Sequence, residues 1–236
     1  MLDFKEIIEF EDEDFILINK PYNVSTLEDR DATKQNILKM AKEYSSDAQV
    51  CHRLDKETSG ILAIAKNPAA YRHLSMQFEH REVIKIYHAV ISGIKRLENQ
   101  MVDLPIFTMK DGIVKIDKLE GKEASTIFNT LTVYNKFSLV ACFPITGRMH
   151  QIRIHLASIG SPIVADHQYG GEDIFLSKMK KKFNLKKDTE EQPLIKRVAL
   201  HARSITFKNM KGEELAIEAV YPKDFSVLIR QLEVNS

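Results

Sequence analysis

The chain has 236 residues, of which 44% are hydrophobic and 28% charged, and it contains only 9 glycines and 7 prolines. This composition excludes a collagen-like, low-complexity or disordered protein. The net charge of +1 gives no support to a nucleic-acid binder, but residues 1–30 carry 9 acidic and 3 basic side chains, whereas residues 141–210 carry 12 basic and 6 acidic ones.

The spacing of apolar residues, and the turn-forming residues between them, predict a mixture of strands and helices. In chain order these are strands at 7–8 and 15–18, a helix at 33–44, a strand at 61–66, a helix at 67–79 that begins at Asn67-Pro68, a strand at 84–91, a hairpin of strands at 125–134 and 137–143, a helix at 149–159 capped by Gly160, strands at 198–207 and 215–220, and a helix at 225–232. Hairpins dominate over βαβ alternation, so we expect an α+β fold with a mixed, mainly antiparallel central sheet.

We expect one domain over residues 1–236, because no internal repeat and no Gly/Ser-rich or Pro-rich linker divides the chain. Its apolar runs are far shorter than the roughly 20 residues of a membrane span, and its acidic N-terminus lacks the basic head of a signal peptide. The expected location is therefore the cytoplasm, where Cys51 and Cys142 would stay reduced.

A dense polar cluster, CHRLDKETSG at 51–60, lies directly before the strand at 61–66. These residues alone leave two interpretations open. Asp55 could close a turn through Thr58 and Ser59, with Arg53 as its ion-pair partner. Alternatively, polar residues packed between a helix and a buried strand form a functional site.

A second cluster, PITGRMHQIRIH at 144–155, begins where the strand at 137–143 ends. Its cations lie at the predicted N-terminus of a helix, a place that favours a phosphate or carboxylate, although an exposed cationic face is also possible. Arg153, between two isoleucines, could be drawn inward, where it would need a carboxylate. His150 and His155 are five positions apart, whereas a helical zinc pair needs four, so we predict no metal site.

Other patterns are weak or missing. The lysine-rich run Lys178–Lys187 fits a phosphate-binding surface and a solvated loop equally well. The sequence contains no GxGxxG, GxxxxGK[ST] or GxSxG pattern, so it signals no dinucleotide site, no P-loop and no hydrolase nucleophile elbow.

Six motifs together resemble the RluA-type RNA pseudouridine synthases over nearly the whole chain. In order they are Asn19-Lys20-Pro21; His52-Arg53-Leu54-Asp55 with Thr58-Ser59-Gly60; Lys85-Ile86-Tyr87-His88-Ala89-Val90 with Gly93; Gly121-Lys122 with Ala124 and Thr126; TGRMHQIR at 146–153; and Leu200-His201-Ala202. Three positions depart from the family pattern: Met149 replaces Thr or Ser, and Asn23 and Ala165 stand where glycine is common. Since about 18 residues precede the first motif, we expect the S4-type RNA-binding module of many relatives to be absent.

The resemblance implies a catalytic fold in which two subdomains flank an RNA-binding cleft. It implies that a specific uridine in structured RNA, either rRNA or tRNA, is isomerised to pseudouridine. Neither a cofactor, a nucleotide nor a metal is expected, and we expect a monomer. Asp55 aligns with the family's essential aspartate and would be the catalytic carboxylate, since an ionised aspartate can act as a nucleophile or as a base. Whether it attacks the uracil or the sugar, or removes a sugar proton, stays open.

The resemblance also implies substrate-binding residues: Arg53, Tyr87, Arg153, Leu200, Lys85 and Arg148. Arg153 would pair with Asp55 and keep it ionised. Tyr87 would stack on the uracil or assist proton transfer, and Leu200 would pack on the other side of the base. Arg53 would reach towards the RNA or the gap left by the flipped base, while Lys85, Arg148 and the lysine-rich run would meet phosphates.

Two functions of other classes are alternatives. A non-catalytic RNA-binding or RNA-chaperone protein on the same fold would have no use for a buried carboxylate near phosphates, which the intact set of Asp55, Tyr87 and Arg153 implies. A hydrolase with an aspartate nucleophile would need a second carboxylate, and only Glu57 is a candidate.

Overall fold

The computed structural model describes residues 2–28, 35–109, 112–180, 183–185 and 189–236. Its helices and strands are, in chain order, β1 (Ile8–Glu11), β2 (Phe15–Lys20), α1 (Ile37–Tyr44), β3 (Gln49–Val50), β4 (Ser59–Ala65), α2 (Pro68–Glu79), β5 (Ile84–Ser92), β6 (Gln100–Asp103), β7 (Ile106–Thr108), β8 (Val114–Ile116), β9 (Ser125–Val133), β10 (Phe137–Pro144), α3 (Gln151–Ser158), β11 (Leu200–Lys208), β12 (Glu214–Glu218) and α4 (Lys223–Val234). The predicted α+β fold with a mainly antiparallel sheet is confirmed. In the part of the chain that is described, no helix combines the length and the apolar character needed to cross a membrane.

The chain forms two compact units. Unit 1 consists of Met1–Tyr87 and His201–Val220, and unit 2 consists of His88–Leu200 and Tyr221–Ser236. Strands β5 and β11 each supply residues to both units. The expectation of one domain over residues 1–236 stays a prediction.

Unit 1 is built around two strands that are buried along most or all of their length. Strand β4 pairs with β2 and β3 antiparallel and with β11 parallel, and β12 pairs with β11. All seven residues of β4 and the segment Phe15–Ile18 of β2 are buried. Both faces of these strands are covered, so their sequences are continuous apolar runs without the alternation of a half-exposed strand.

Helix α2 begins and ends where the sequence predicts. The Asn67 side chain accepts a hydrogen bond from the Ala70 backbone N–H at 2.9 Å, and Pro68 occupies the first turn. Substitution of a capping asparagine by alanine typically costs about 1 kcal/mol. No sequence pattern indicated the role of Gln77, whose buried amide group bonds both the N–H and the carbonyl of Lys208 and so connects α2 to β11.

Gly60 is required by the close approach of β4 and β11, which pair in parallel register with Ala202 opposite Gly60. Its φ is +116°, and a Cβ at this position would lie 2.1 Å from the Ala202 carbonyl oxygen. We therefore expect Gly60→Ala to lower the free energy of unfolding by about 3 kcal/mol, because both a steric clash and backbone strain are introduced.

The control for this substitution is Gly93→Ala. Gly93 also has a positive φ, +95°, but no atom lies within 4 Å of its would-be Cβ. Strain alone predicts a loss of about 1–2 kcal/mol there. Denaturant unfolding of both variants tests this prediction, and equal losses would mean that the contact with Ala202 is unimportant.

Unit 2 contains strands β5, β10, β9 and β6 in that spatial order, together with a separate ribbon of β7 and β8. The predicted hairpin is confirmed: Asn135-Lys136 joins β9 to β10, and the Tyr134 N–H bonds the Phe137 carbonyl at 2.8 Å. A small cluster of Ile106, Val114, Ala124 and Ile154 packs α3 against this part of the unit.

The predicted boundaries of helix α3 were wrong. The helix spans Gln151–Ser158, and Met149 and His150 precede it, because His150 has a left-handed backbone with φ 54°. Ile159 is its C-cap residue. The six residues from Gln151 to Leu156 are all buried, so the helix is enclosed on more sides than the expected single apolar stripe.

Candidate active site

In unit 1, the HRLD segment forms a loop between β3 and β4 that is fastened to β4 by two hydrogen bonds. The Cys51 N–H donates to the Ala63 carbonyl, and the Ala63 N–H donates to Nε2 of His52, both at 3.1 Å. Burial, with a smaller contribution from the nearby Lys85 ammonium, lowers the pKa of His52 to about 3. His52 is therefore a neutral hydrogen-bond acceptor that supports the loop.

The state of His52 predicts a pH dependence of stability. The unfolded histidine titrates near pH 6.5, whereas the folded one stays neutral down to about pH 3. Between these values the unfolded state binds the extra proton, so the free energy of unfolding falls as the pH drops below 6.5. We expect this residue to contribute a loss of about 1–2 kcal/mol at pH 5.

The variant His52→Gln tests this prediction, because its amide oxygen can accept the Ala63 N–H but does not titrate. Denaturant unfolding at pH 7 and pH 5 should show a smaller pH-dependent loss for His52→Gln than for the wild type. The exposed His80→Gln is the matched control and should behave as the wild type. An identical pH dependence in all three proteins would contradict the prediction.

Asp55 is partly buried in the middle of this loop, and its neighbours on both sides are fixed. Its own carbonyl accepts the Thr58 N–H at 3.0 Å, which closes the turn expected from the sequence. The carbonyl of Lys56 accepts the Asn23 N–H at 2.8 Å and the buried ammonium of Lys20 at 3.4 Å. The backbone that carries the Asp55 carboxylate is therefore held by the segment that contains the Asn19-Lys20-Pro21 motif.

The other predicted residues of unit 1 have different environments. Arg53 is exposed, next to Asp55 in the chain. Lys85 is partly buried; its ammonium lies 5.8 Å from the centre of the Phe78 ring, and burial lowers its pKa. Tyr87 is partly buried and packs against the core of unit 1. Phe78 also contacts His52, with 5.0 Å between ring centroids, so Lys85 and the HRLD loop share one aromatic neighbour.

Two of the sequence motifs meet inside unit 1. Ser59 Oγ lies 2.9 Å from Nδ1 of His201, and Nε2 of His201 lies 3.2 Å from the Ala219 carbonyl. Because a carbonyl only accepts, Nε2 carries the proton and Nδ1 accepts from the Ser59 hydroxyl. Ser59 and His201 are fully buried. This contact and Gly60 together support the end of the HRLD loop. The two motifs therefore have a structural role.

In unit 2, Arg153 forms a buried two-pronged ion pair with Asp166. Nε and Nη2 donate to the two carboxylate oxygens at 2.8 and 2.7 Å, and the two residues are 4% and 1% exposed. The prediction that a buried Arg153 needs a carboxylate is confirmed. The pairing of Arg153 with Asp55, which belongs to unit 1, stays a prediction.

Aromatic and polar groups surround this ion pair. The Arg153 guanidinium lies 5.1 Å from the centre of the Tyr169 ring, and the Tyr169 hydroxyl lies 2.9 Å from Nδ1 of His150. Gln168 accepts a further, longer bond from Arg153 at 3.3 Å. These contacts hold the guanidinium plane in one orientation.

Two departures from the family pattern have a common backbone explanation. Asn23 and Ala165, which stand where glycine is common, have φ values of +64° and +59°. Glycine adopts this conformation without steric cost, and asparagine is the residue that tolerates it best after glycine. Asn23 therefore adopts the left-handed conformation at little cost, whereas Ala165, directly before Asp166, adopts it at the steric cost of its Cβ.

The loop at 146–148 is organised by the buried Gln151 side chain. Its Oε1 accepts from the Thr146 hydroxyl and the Arg148 N–H at 2.7 and 3.0 Å, and its Nε2 donates to Ser125 and Thr126. Arg148 itself is exposed, with Nε bonded to the Glu123 carbonyl at 3.0 Å. Its guanidinium is therefore partly anchored at the surface.

Leu200 is buried, and the backbone around it is held by Arg197. Arg197 donates to the carbonyls of Val198 and Leu200 at 3.2 and 3.1 Å, and it forms a two-pronged ion pair with Asp224 of α4. No motif indicated the roles of Arg197, Asp224 and Asp166. The only signal for Asp166 was indirect, because a buried arginine requires a carboxylate.

The structure thus places Arg53, Asp55, Lys85 and Tyr87 in unit 1, and Arg148, Arg153 and Leu200 in unit 2. Of the lysine-rich run, Lys181, Lys182, Lys186 and Lys187 lie outside the described residues. Among the residues that are described, no three His, Cys, Asp or Glu side chains come together as a candidate metal site.

The chain is similar to a protein family and to individual proteins that are all named as RNA pseudouridine synthases. Residues 14–158 match the family model described as RNA pseudouridylate synthase. The chain is 34% identical over 238 residues to the ribosomal large subunit pseudouridine synthase C of Buchnera aphidicola, covering 97% of this chain and 71% of that protein. It is 32% identical over 217 residues to the dual-specificity RNA pseudouridine synthase RluA of Vibrio parahaemolyticus, covering 88% and 80%.

Solved structures agree on the fold. The human RNA pseudouridylate synthase domain containing 4 superposes with a TM-score of 0.73 at 24% identity, over 97% of this chain and 94% of that one. The human RNA pseudouridylate synthase domain containing 1 gives 0.67 at 26% identity, over 91% and 83%. The predicted family is therefore confirmed: the chain belongs to the RluA-type RNA pseudouridine synthases and is an enzyme of that class.

Proposed function

We propose that this protein converts a specific uridine of large-subunit ribosomal RNA into pseudouridine, with Asp55 as the catalytic carboxylate. The observation that carries the assignment of Asp55 is its setting. It is a partly accessible carboxylate on a loop whose backbone is bonded to β4 through His52 and to residues 20–26 through Leu54 and Lys56. A reacting group benefits from such a rigid support, because chemistry requires a fixed geometry.

The reaction is an isomerisation and needs no redox partner. The bond between N1 of uracil and C1′ of ribose breaks, the base turns, and a bond forms between C5 and C1′. C5 loses a proton and N1 gains one, so substrate and product have the same atoms. Asp55 could attack the base, attack the sugar, or remove a sugar proton, and each route uses its ionised form.

The RNA would be bound by the remaining predicted residues. Exposed Arg53 and Arg148 are suited to phosphates or to an unstacked base, and Lys85 supplies a further cation. The family resemblance assigns the uracil to Tyr87 and Leu200 and includes Arg153 among the substrate-binding residues; Leu200 and Arg153 are buried in this structure. The target uridine must leave its stack, which costs a few kcal/mol and is cheapest in a loop. We therefore expect a structured loop of the RNA as the target.

Support for ribosomal RNA comes from the names of the relatives, several of which are ribosomal large subunit pseudouridine synthases. Transfer RNA is the second candidate, because the Vibrio relative is named a dual-specificity enzyme. A ribosomal substrate would place the protein in the cytoplasm, and we expect it to act as a monomer.

The test is to map pseudouridine in total RNA from cells with and without this protein, and in purified rRNA and tRNA after incubation with it. Loss of one rRNA site in the cells, restored in vitro, is the expected result. If pseudouridine is lost only from a tRNA site, the substrate is tRNA and not rRNA. RNA that binds without any new pseudouridine would favour the alternative of a non-catalytic RNA-binding protein.

A further inference from the structure

The backbone before Asp55 is clamped by one buried side chain, Thr26. Its hydroxyl donates to the Leu54 carbonyl at 2.8 Å and accepts the Leu54 N–H at 3.1 Å. Thr26 is 3% exposed and Leu54 5% exposed. A single hydroxyl thus satisfies both backbone polar groups of the residue that immediately precedes the carboxylate.

The two hydrogen bonds of Thr26 fix the orientation of the Leu54 backbone as well as its position. A buried hydroxyl that both donates and accepts has one favoured rotamer, since its donor and its acceptor lone pair must point at different atoms. The backbone of Thr26 is itself held, because its carbonyl accepts the Leu38 N–H at the start of α1 at 3.1 Å. The clamp therefore connects the loop before Asp55 to a helix.

On the far side of Asp55, the Lys56 carbonyl is bonded by Asn23 and Lys20, as described above. The Asp55 Cα therefore lies between two anchored peptide groups, one held by Thr26 and the other by residues 20–23. Thr26 belongs to none of the sequence motifs, so the motif pattern gave no indication of this contact.

We propose that Thr26 is a positioning residue for the reaction: its hydroxyl sets the orientation of the Asp55 carboxylate by clamping Leu54. This inference rests on the proposed function, because it assigns the clamp to the residue proposed to do the chemistry. A displacement of about 1 Å in a reacting group is enough to cost about 10²-fold in rate. Loss of the hydroxyl should therefore lower kcat with little effect on RNA affinity.

The competing explanation is that Thr26 only stabilises the core. Unit 2 offers a matched control in Thr130, whose hydroxyl donates to the Lys95 carbonyl at 3.0 Å and accepts the Leu97 N–H at 2.8 Å. Thr130 is thus a similar clamp that is partly buried and joins two residues, and no predicted site residue belongs to the segment it holds. Thr130→Val reports what the loss of such a clamp does to the protein in general.

The experiment compares Thr26→Val, Thr26→Ser and Thr130→Val with the wild type. Pseudouridine formation is measured at saturating RNA, RNA affinity by filter binding, and the melting temperature by circular dichroism. We expect Thr26→Val to lower kcat about 10–100-fold with an RNA Kd within about twofold. Thr26→Ser, which keeps the hydroxyl, should restore most of kcat. Thr130→Val should also lower the melting temperature but keep kcat within about twofold.

The proposal is overturned if Thr26→Val keeps kcat within about twofold of the wild type, or if Thr26→Ser is as slow as Thr26→Val. Should Thr26→Val fail to fold, Thr26→Cys has nearly the volume of threonine with only a weak donor, and a kcat within about twofold of the wild type would then overturn the proposal. Failure of the proposed function is recognised separately: the wild type would then form no pseudouridine. In that case, faster hydrogen exchange of the Leu54 amide in the Val variant than in the Ser variant still reports the clamp, and equal exchange overturns it.

Discussion

Asp55→Asn is expected to reduce pseudouridine formation by about 10³-fold or more while RNA affinity stays within about threefold. Asparagine has the shape of aspartate but lacks the charge, so it can neither attack as a nucleophile nor accept a proton. The backbone bonds of Leu54, Asp55 and Lys56 do not involve the carboxylate, so the loop should keep its conformation.

The measurement is single-turnover pseudouridine formation at saturating RNA, with filter binding for affinity. Asp47→Asn is the matched control, because Asp47 is an exposed aspartate of the same unit; it should retain full activity. Turnover of Asp55→Asn within about tenfold of the wild type would rule out Asp55 as the reacting group.

Arg153→Met should lower the free energy of unfolding by about 3–5 kcal/mol, because it leaves the Asp166 carboxylate buried without its partner. Asp166 is 1% exposed, so water does not replace the lost hydrogen bonds. Methionine keeps much of the length of the side chain, so the effect comes from the loss of the positive charge and of the two parallel hydrogen bonds to Asp166. Arg153→Lys restores the charge but not the two parallel bonds and should lose less.

The double variant Arg153→Met with Asp166→Leu separates the ion pair from other effects. When both charges are removed, no unpaired buried ion remains, and apolar replacements of such pairs are often neutral. Denaturant unfolding should therefore show the double variant to be more stable than Arg153→Met alone. If the stability losses of Arg153→Met alone and Asp166→Leu alone simply add in the double variant, the two residues are not coupled. The buried ion pair would then not have the energetic role described here.

The parts of the fold that are encoded by neighbouring residues were predicted from the sequence. Helix α2 begins at Asn67-Pro68 because the cap and the first turn are encoded by neighbouring residues, and the turn at Asn135-Lys136 is encoded in the same way. The short strands β3, β6, β7 and β8 were missed, because two to four residues are too few to show a periodicity. Helix α3 was predicted to start two residues early, since nothing local marks the left-handed backbone of His150.

The candidate site was only partly predictable for a related reason. The HRLD motif indicated Asp55, and an arginine between isoleucines indicated a buried cation. The partner of that cation, Asp166, and the clamp from Thr26 to Leu54 depend on which segments the fold brings together. Residue spacing carries no such information, so these contacts could only be found in three dimensions.

The discontinuity of unit 1 has a consequence for its synthesis. Residues 88–200 separate the two segments of this unit, so Ser59 and Gly60 of β4 lack their parallel neighbour until residues 201–202 have left the ribosome. At about 5–20 residues per second, the interval between the synthesis of these two segments lasts about 7–28 seconds. During that time the nascent chain has an open strand edge next to an apolar core, which is a target for chaperones and for wrong pairing. The support that His201 and Ala202 give to the end of the loop carrying Asp55 is therefore completed late in translation, after most of unit 2 has been made.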